Sequence, residues 1–205
     1  MIDIGALAIF IPTFFFVSIT PGMCMTLAMT LGMSIGIRRT LWMMLGELLG
    51  VATVAVSAVL GVARIMLDYP DAFLILKWVG GAYLIYLGFN MCRAKGKMSI
   101  DMQKAIDVSR VSLFTQGFVT AIANPKGWAF MIALLPPFIN VDYSVTSQLL
   151  VLLGIIMICE FLCMLVYASG GKSLRLFLTR GDNIKWLNRI AGSLMLFVGI
   201  WLALN

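Results

Sequence analysis

Three groups of residues in this sequence have types and positions that can do chemistry inside an apolar surrounding. The first is Ser18-Ile19-Thr20-Pro21-Gly22. Pro21 has no amide hydrogen to bond the carbonyl of Val17, four residues back, and Gly22 adds backbone freedom. A break here turns the amides of Gly22, Met23 and Cys24 into a half-helix N-terminus, which attracts a carboxylate. The carbonyls freed on the other side, around Val17–Thr20, suit an ammonium group. The second group, Asn124-Pro125-Lys126, combines a break with a charge. A lysine at the centre of a membrane helix costs about 2.5–3.5 kcal/mol on insertion scales, and its stem shifts the ammonium only a little way toward water. Lys126 is therefore expected to face a polar cavity and hold a substrate carboxylate. The bland alternative is a structural pair with Glu160 or with backbone carbonyls. The third group is two lone carboxylates, Glu47 and Glu160. Intramembrane carboxylates commonly relay protons, so both are candidates for proton coupling. Glu160 lies mid-block, and its alternative role is that of a satisfied structural group. Glu47 lies about 9 Å inside its block at 1.5 Å per residue, where interfacial water, Arg38 or Arg39 are its alternative partners.

The elements that must position these groups are apolar blocks. Of 205 residues, 61% are hydrophobic and 12% charged, with mean hydropathy +1.02. Soluble domains run near half apolar and a quarter charged, so lipid must solvate much of this surface. A spanning helix needs about 20 mostly apolar residues, and six blocks meet that need. They run roughly Ile4–Leu31, Leu41–Ala63, Ala72–Cys92, Val111–Ile139, Val145–Ser169 and Trp186–Leu204. The first and fourth are long enough to be bent or broken. Helices are expected because lipid offers an open backbone no partner. The reading is an all-α, polytopic membrane protein of about six transmembrane helices, one transport domain over residues 1–205. Met1-Ile2-Asp3-Ile4 lacks the basic stretch of a cleaved signal, so the first block is expected to remain in the mature protein.

Lysine and arginine cluster in alternate links: Arg38 and Arg39; Arg93, Lys95, Lys97, Lys104 and Arg110; Lys172, Arg175, Arg180, Lys185 and Arg189. Positive-inside puts links one, three and five in the cytoplasm and both termini outside. The net charge of +6 is thus a membrane-orientation signal and not one for nucleic acid. The segment Val79–Phe89 of block three resembles Ile190–Ile200 of block six, with Gly81/Gly192, Ala82/Ser193 and Gly88/Gly199 in register. Blocks one and four share a mid-block proline, and blocks two and five each carry one glutamate. These parallels predict two three-helix repeats, 1–92 and 111–205, joined by the basic link 93–110. Since three is odd, the copies are inverted, a recurring transporter design with broken helices at the midplane.

Other features carry less. Met23, Met25, Met29 and Met33 are ordinary apolar filler rather than a copper path. The cysteines Cys24, Cys92, Cys159 and Cys163 include no CxxC pair, and the chain has no histidine, so no metal site or cofactor is expected. No GxSxG, HExxH or Walker-type motif is present, and no enzyme is expected.

In their order along the chain, these motifs resemble the lysine exporter superfamily, in particular its homoserine/threonine-resistance branch. Thr20-Pro21-Gly22 is similar to the first-helix motif, and Gly46-Glu47 sits where members often have glycine and an acid. Leu76–Gly88 resembles the third-helix signature. Gln116-Gly117-Phe118, Asn124-Pro125-Lys126 and Leu134-Leu135-Pro136-Pro137-Phe138 resemble the fourth. Met23 departs from the second proline many members have after Pro21-Gly22. The resemblance implies a cytoplasmic-membrane exporter of amino acids or close derivatives, driven by the proton gradient. The residues alone lead to a transporter with a carboxylate-binding midplane, and leave a homo-oligomer open. Two rivals stand beside it. A divalent-metal exporter is disfavoured by the lack of histidine. A transmembrane thiol-redox carrier needs a cysteine in each repeat, and only Lys126, Gly127 and Trp128 follow Pro125.

Overall fold

The computed structural model describes residues 4–68, 70–94, 109–140, 143–180 and 182–204. Within them the chain is all-α, and the six apolar blocks map onto helices in order. Block one becomes α1 (Ile4–Ile19) and α2 (Met23–Ile35). Block two is α3 (Ile37–Asp68) and block three is α4 (Pro70–Arg93). Block four becomes α5 (Arg110–Ile122), α6 (Pro125–Leu134) and the 3-10 turn η1 (Pro136–Phe138). Block five is α7 (Val145–Thr179) and block six α8 (Asn183–Leu204). Ile37–Gly61 and Val145–Gly171 are each long and apolar enough to cross a bilayer unbroken, and α1 and α2, bent by 54° at their break, are together long and apolar enough for a broken span or a re-entrant loop. Lys95, Lys97 and Lys104 of the third link lie outside the described residues.

Two links differ from their sequence reading. The first shrinks to Gly36, whose φ of 80° lies in the region open to glycine, so Arg38 and Arg39 sit in the first turn of α3. The fifth is helical: α7 kinks at Gly171, φ 43° and ψ −125°, and continues to Thr179. Leu174 and Leu178, four apart on one face, hold this extension by packing under the bundle.

Small residues let the helices approach closely. A Cβ on Gly88 of α4 would lie 2.6 Å from the Gly192 carbonyl of α8, and one on Gly199 would lie 2.9 Å from the Gly81 carbonyl. The two helices therefore cross antiparallel. The contacts are also reciprocal: exchanging Gly81 with Gly192 and Gly88 with Gly199 turns one contact into the other. Gly46 and Gly50 of α3 meet the backbone at Phe114 and Phe118 of α5, so those two run parallel. Gly32, near the end of α2, meets Ala168 of α7, just before the Gly171 kink.

Apolar side chains also face outward. Trp78, Val79, Tyr86 and Phe89 on α4 and Leu150, Ile158 and Leu162 on α7 are exposed, the surface expected where lipid is the solvent. Inside, the buried residues divide into two clusters. One joins Phe10, Phe14 and Val17 with Val54, Ala58, Phe130, Leu134, Leu152 and Ile156. The other joins Met25, Met29, Met43, Met44, Leu113, Cys163 and Tyr167. The basic residues of links one and five adjoin the second cluster. There, the Arg110 guanidinium lies over the Trp42 ring at 5.5 Å, bringing the starts of α5 and α3 together.

Candidate functional site

On three of the spans that cross it, the boundary between the two clusters falls at the chemically capable residues. On α1 and α2 the first cluster ends at Val17 and the second begins at Met25. On α3 the second ends at Met44 and the first takes up beyond Glu47. On α7 the boundary is Glu160, between Cys159 and Cys163. A cavity of about 250 Å³ opens in this layer, lined by Ser18, Thr20, Gly22, Cys24, Glu47, Asn124, Lys126 and Glu160 among others. Six of the residues singled out from the sequence thus meet in one place: Thr20, Gly22, Glu47, Asn124, Lys126 and Glu160. Pro21 and Pro125 make the breaks that bring them there.

Both breaks interrupt the helical backbone and are more than kinks. At the first, α1 stops at Ile19 and α2 begins at Met23. Gly22 is extended, with φ −137° and ψ −170°, and no side chain caps α2. At the second, Asn124 is extended and its side-chain Oδ1 accepts from the Lys126 amide at 3.2 Å. The two half-helix N-termini therefore differ: α6 is capped from within, while the start of α2, Gly22–Cys24, has no side-chain cap and lines the cavity. An uncapped helix N-terminus favours an anion.

The carbonyls freed by the first break were expected to suit an ammonium from outside. The chain's own donors take two of them. The Lys126 ammonium donates to the Val17 carbonyl at 3.5 Å, the carbonyl that Pro21 leaves without its amide. The Tyr167 hydroxyl donates to the Ile19 carbonyl at 2.8 Å. Thr20 returns its hydroxyl to the Phe16 carbonyl at 2.7 Å, and at the second break the Trp128 indole donates to the Ile122 carbonyl at 2.9 Å. Each bond answers the demand of backbone polar groups for partners inside a membrane protein.

The two carboxylates are held differently. Glu160 accepts from the Ser18 hydroxyl at 2.8 Å, tying α7 to the rim of the first break. It is also near enough to Lys126 for their charges to interact. Glu47 is 1% exposed. It touches the Cys24 thiol, while its Oε2 has no hydrogen-bond partner among the described residues. The interfacial position read from the sequence is thus too shallow. Because α3 begins at Ile37, Glu47 lies about 15 Å along it, level with the polar layer. Glu47 is among the residues that line the cavity, with this unanswered oxygen buried in the wall. Ser18, in the first group read from the sequence, also lines the cavity, while Tyr167 and the apolar lining residues Phe14, Val51 and Phe130 are not singled out there. For Tyr167 the available signal was a phenol within an aliphatic block, since a buried tyrosine hydroxyl usually finds a partner.

A polar layer with one ammonium, two carboxylates and free amides, closed by apolar clusters on both sides, can hold a small zwitterion away from water. The model of the LysE type translocator family matches residues 15–205. A homoserine/homoserine lactone efflux protein of Salmonella typhi is 31% identical over 187 residues, covering 91% of this chain and 90% of the relative. An uncharacterized membrane protein of Vibrio cholerae is 26% identical over 91% of this chain and 90% of its own. The uncharacterized membrane protein YrhP of Bacillus subtilis is 26% identical over 95% and 97%. No solved structure matches the chain. By a family match that spans nearly its whole length, and by relatives covered almost end to end, this multi-pass membrane protein belongs to the LysE type translocators.

Proposed function

We propose that the protein exports amino acids or close derivatives from the cytoplasm across the inner membrane, in exchange for protons. The observation that carries this reading is the polar layer itself, in which Lys126, Glu47, Glu160 and the uncapped start of α2 line one small cavity. The name of the Salmonella relative supports an amino-acid-like substrate. In this reading Lys126 and the Gly22–Cys24 amides hold the substrate carboxylate. Thr20 and Asn124 shape the two breaks around it, and Pro21 and Pro125 keep those breaks open. Glu47 and Glu160 share the substrate ammonium and the coupled proton. Two inverted three-helix repeats make six spans, with both termini outside and the basic links in the cytoplasm. Each apolar cluster seals one side of the layer, and access alternates as one repeat rocks against the other.

The test is efflux from cells preloaded with a mixture of labelled amino acids, with and without the protein and with and without an uncoupler. Faster, uncoupler-sensitive loss of one or a few amino acids is expected. The Lys126→Ala variant is expected to abolish that loss while remaining in the membrane. Wild-type efflux by this variant would remove Lys126 from the mechanism. No faster loss of any amino acid, with the protein present in the membrane, would sink the exporter reading.

A further inference from the structure

The cavity is not apolar evenly. Counting one helical turn, four residues, from each polar group reaches another lining residue in three cases: Ser18 to Phe14 on α1, Glu47 to Val51 on α3, and Lys126 to Phe130 on α6. Residues four apart share a helix face, so the three lie above the polar ones in a second ring. They lie on the same side of the layer. The Phe14 and Phe130 rings sit 5.7 Å apart, and all three belong to or pack against the first cluster. Val54 and Met131 extend this apolar wall. Phe14 and Phe130 are buried, at 1% and 3% exposed.

We infer that the substrate's side chain is apolar and that Phe14, Val51 and Phe130 recognise it, with the polar layer holding the amino and carboxyl groups. This rests on the exporter reading above. A molecule anchored by Lys126 and Glu47, which both line the cavity, has its remaining atoms against that ring. An apolar side chain gains by leaving water there. A hydroxyl or ammonium in the same place finds no partner among the three side chains, and its lost hydration goes uncompensated. Apolar pockets separate substrates differing by one small group by about 10- to 200-fold, so a preference near the lower end is expected.

The experiment uses the full chain reconstituted in proteoliposomes, with labelled leucine, homoserine and lysine as probes under one imposed proton gradient. Leucine is expected to be transported about tenfold more efficiently than homoserine or lysine. Val51→Thr keeps the side-chain shape and adds a hydroxyl to the ring, and it is expected to narrow the leucine-to-homoserine ratio severalfold. Homoserine or lysine moving as well as leucine would overturn the apolar-side-chain assignment and leave the exporter reading intact. An unchanged ratio in Val51→Thr would overturn the role of the ring. Transport of none of the three, from protein that remains folded, would overturn both readings together.

Discussion

Tyr167 uses its one hydroxyl on a carbonyl that helix geometry has abandoned. The Ile19 carbonyl sits at the end of α1 with no helical amide to meet it, and the phenol reaches it at 2.8 Å. Tyr167→Phe keeps the ring in the second cluster and removes only the donor. A buried acceptor left unanswered costs about 1–3 kcal/mol. The variant is therefore expected to melt at lower temperature in detergent, with little change in its packing. An unshifted melt would mean that another donor takes the carbonyl. The same accounting explains what could be read from residue types alone. Pro21 frees the Val17 carbonyl by covalent structure, so that vacancy is visible in the sequence. Which group fills it is not, because Lys126 is 109 positions away and only the folded bundle brings the two together. Glu47 was placed too shallow for a local reason. The apolar run becomes dense only at Leu41, while the helix starts after Gly36 and carries Arg38 and Arg39 in its first turn.

Helices enter this bundle through glycine. The reciprocal contact of Gly88 with Gly192 and of Gly81 with Gly199 holds α4 to α8. It is the arrangement that a two-fold relation between blocks three and six requires. Gly192→Val places side-chain atoms where the Gly88 carbonyl and the Cys92 thiol stand, and overpacking of this kind costs about 1–3 kcal/mol. Reduced yield of folded protein and a lower melting temperature are expected. Gly61→Val serves as the control, since a Cβ there meets nothing within 4 Å. Equal stability of the two variants would refute the close crossing. The register of these glycines was legible in the sequence as a match between two segments. Their contact was not, because similarity between segments says nothing about whether they touch. Nor did hydropathy reveal the helical extension beyond Gly171, since a short stretch with basic residues reads as a link until its leucines are seen to pack.

At the scale of the whole molecule, one polar layer lies between two apolar clusters, and among the described residues the basic groups of the first and fifth links gather at one end. Arg38 and Arg39 at the start of α3, Arg93 at the end of α4, and Lys185 and Arg189 early in α8 mark that end. The Cys92 thiol donates to the Arg189 carbonyl at 3.7 Å, confirming that the end of α4 and the start of α8 share a side. A cysteine introduced at Arg180, in a chain otherwise free of cysteine, is expected to react with an impermeant thiol reagent in inside-out vesicles and not in intact cells. Labelling in intact cells would reverse the proposed orientation.

The layered interior also has an electrical meaning. If the two apolar clusters bear the membrane voltage between them, the polar layer sits part-way through the field. A net charge leaving the layer toward either face crosses part of the potential, on the order of 1 kcal/mol per 100 mV. A zwitterion carries no net charge and crosses that field without work. In the proposed exchange, voltage therefore acts on the proton that moves against the substrate, and Glu47 and Glu160, which line the cavity, stand where that proton would feel the field.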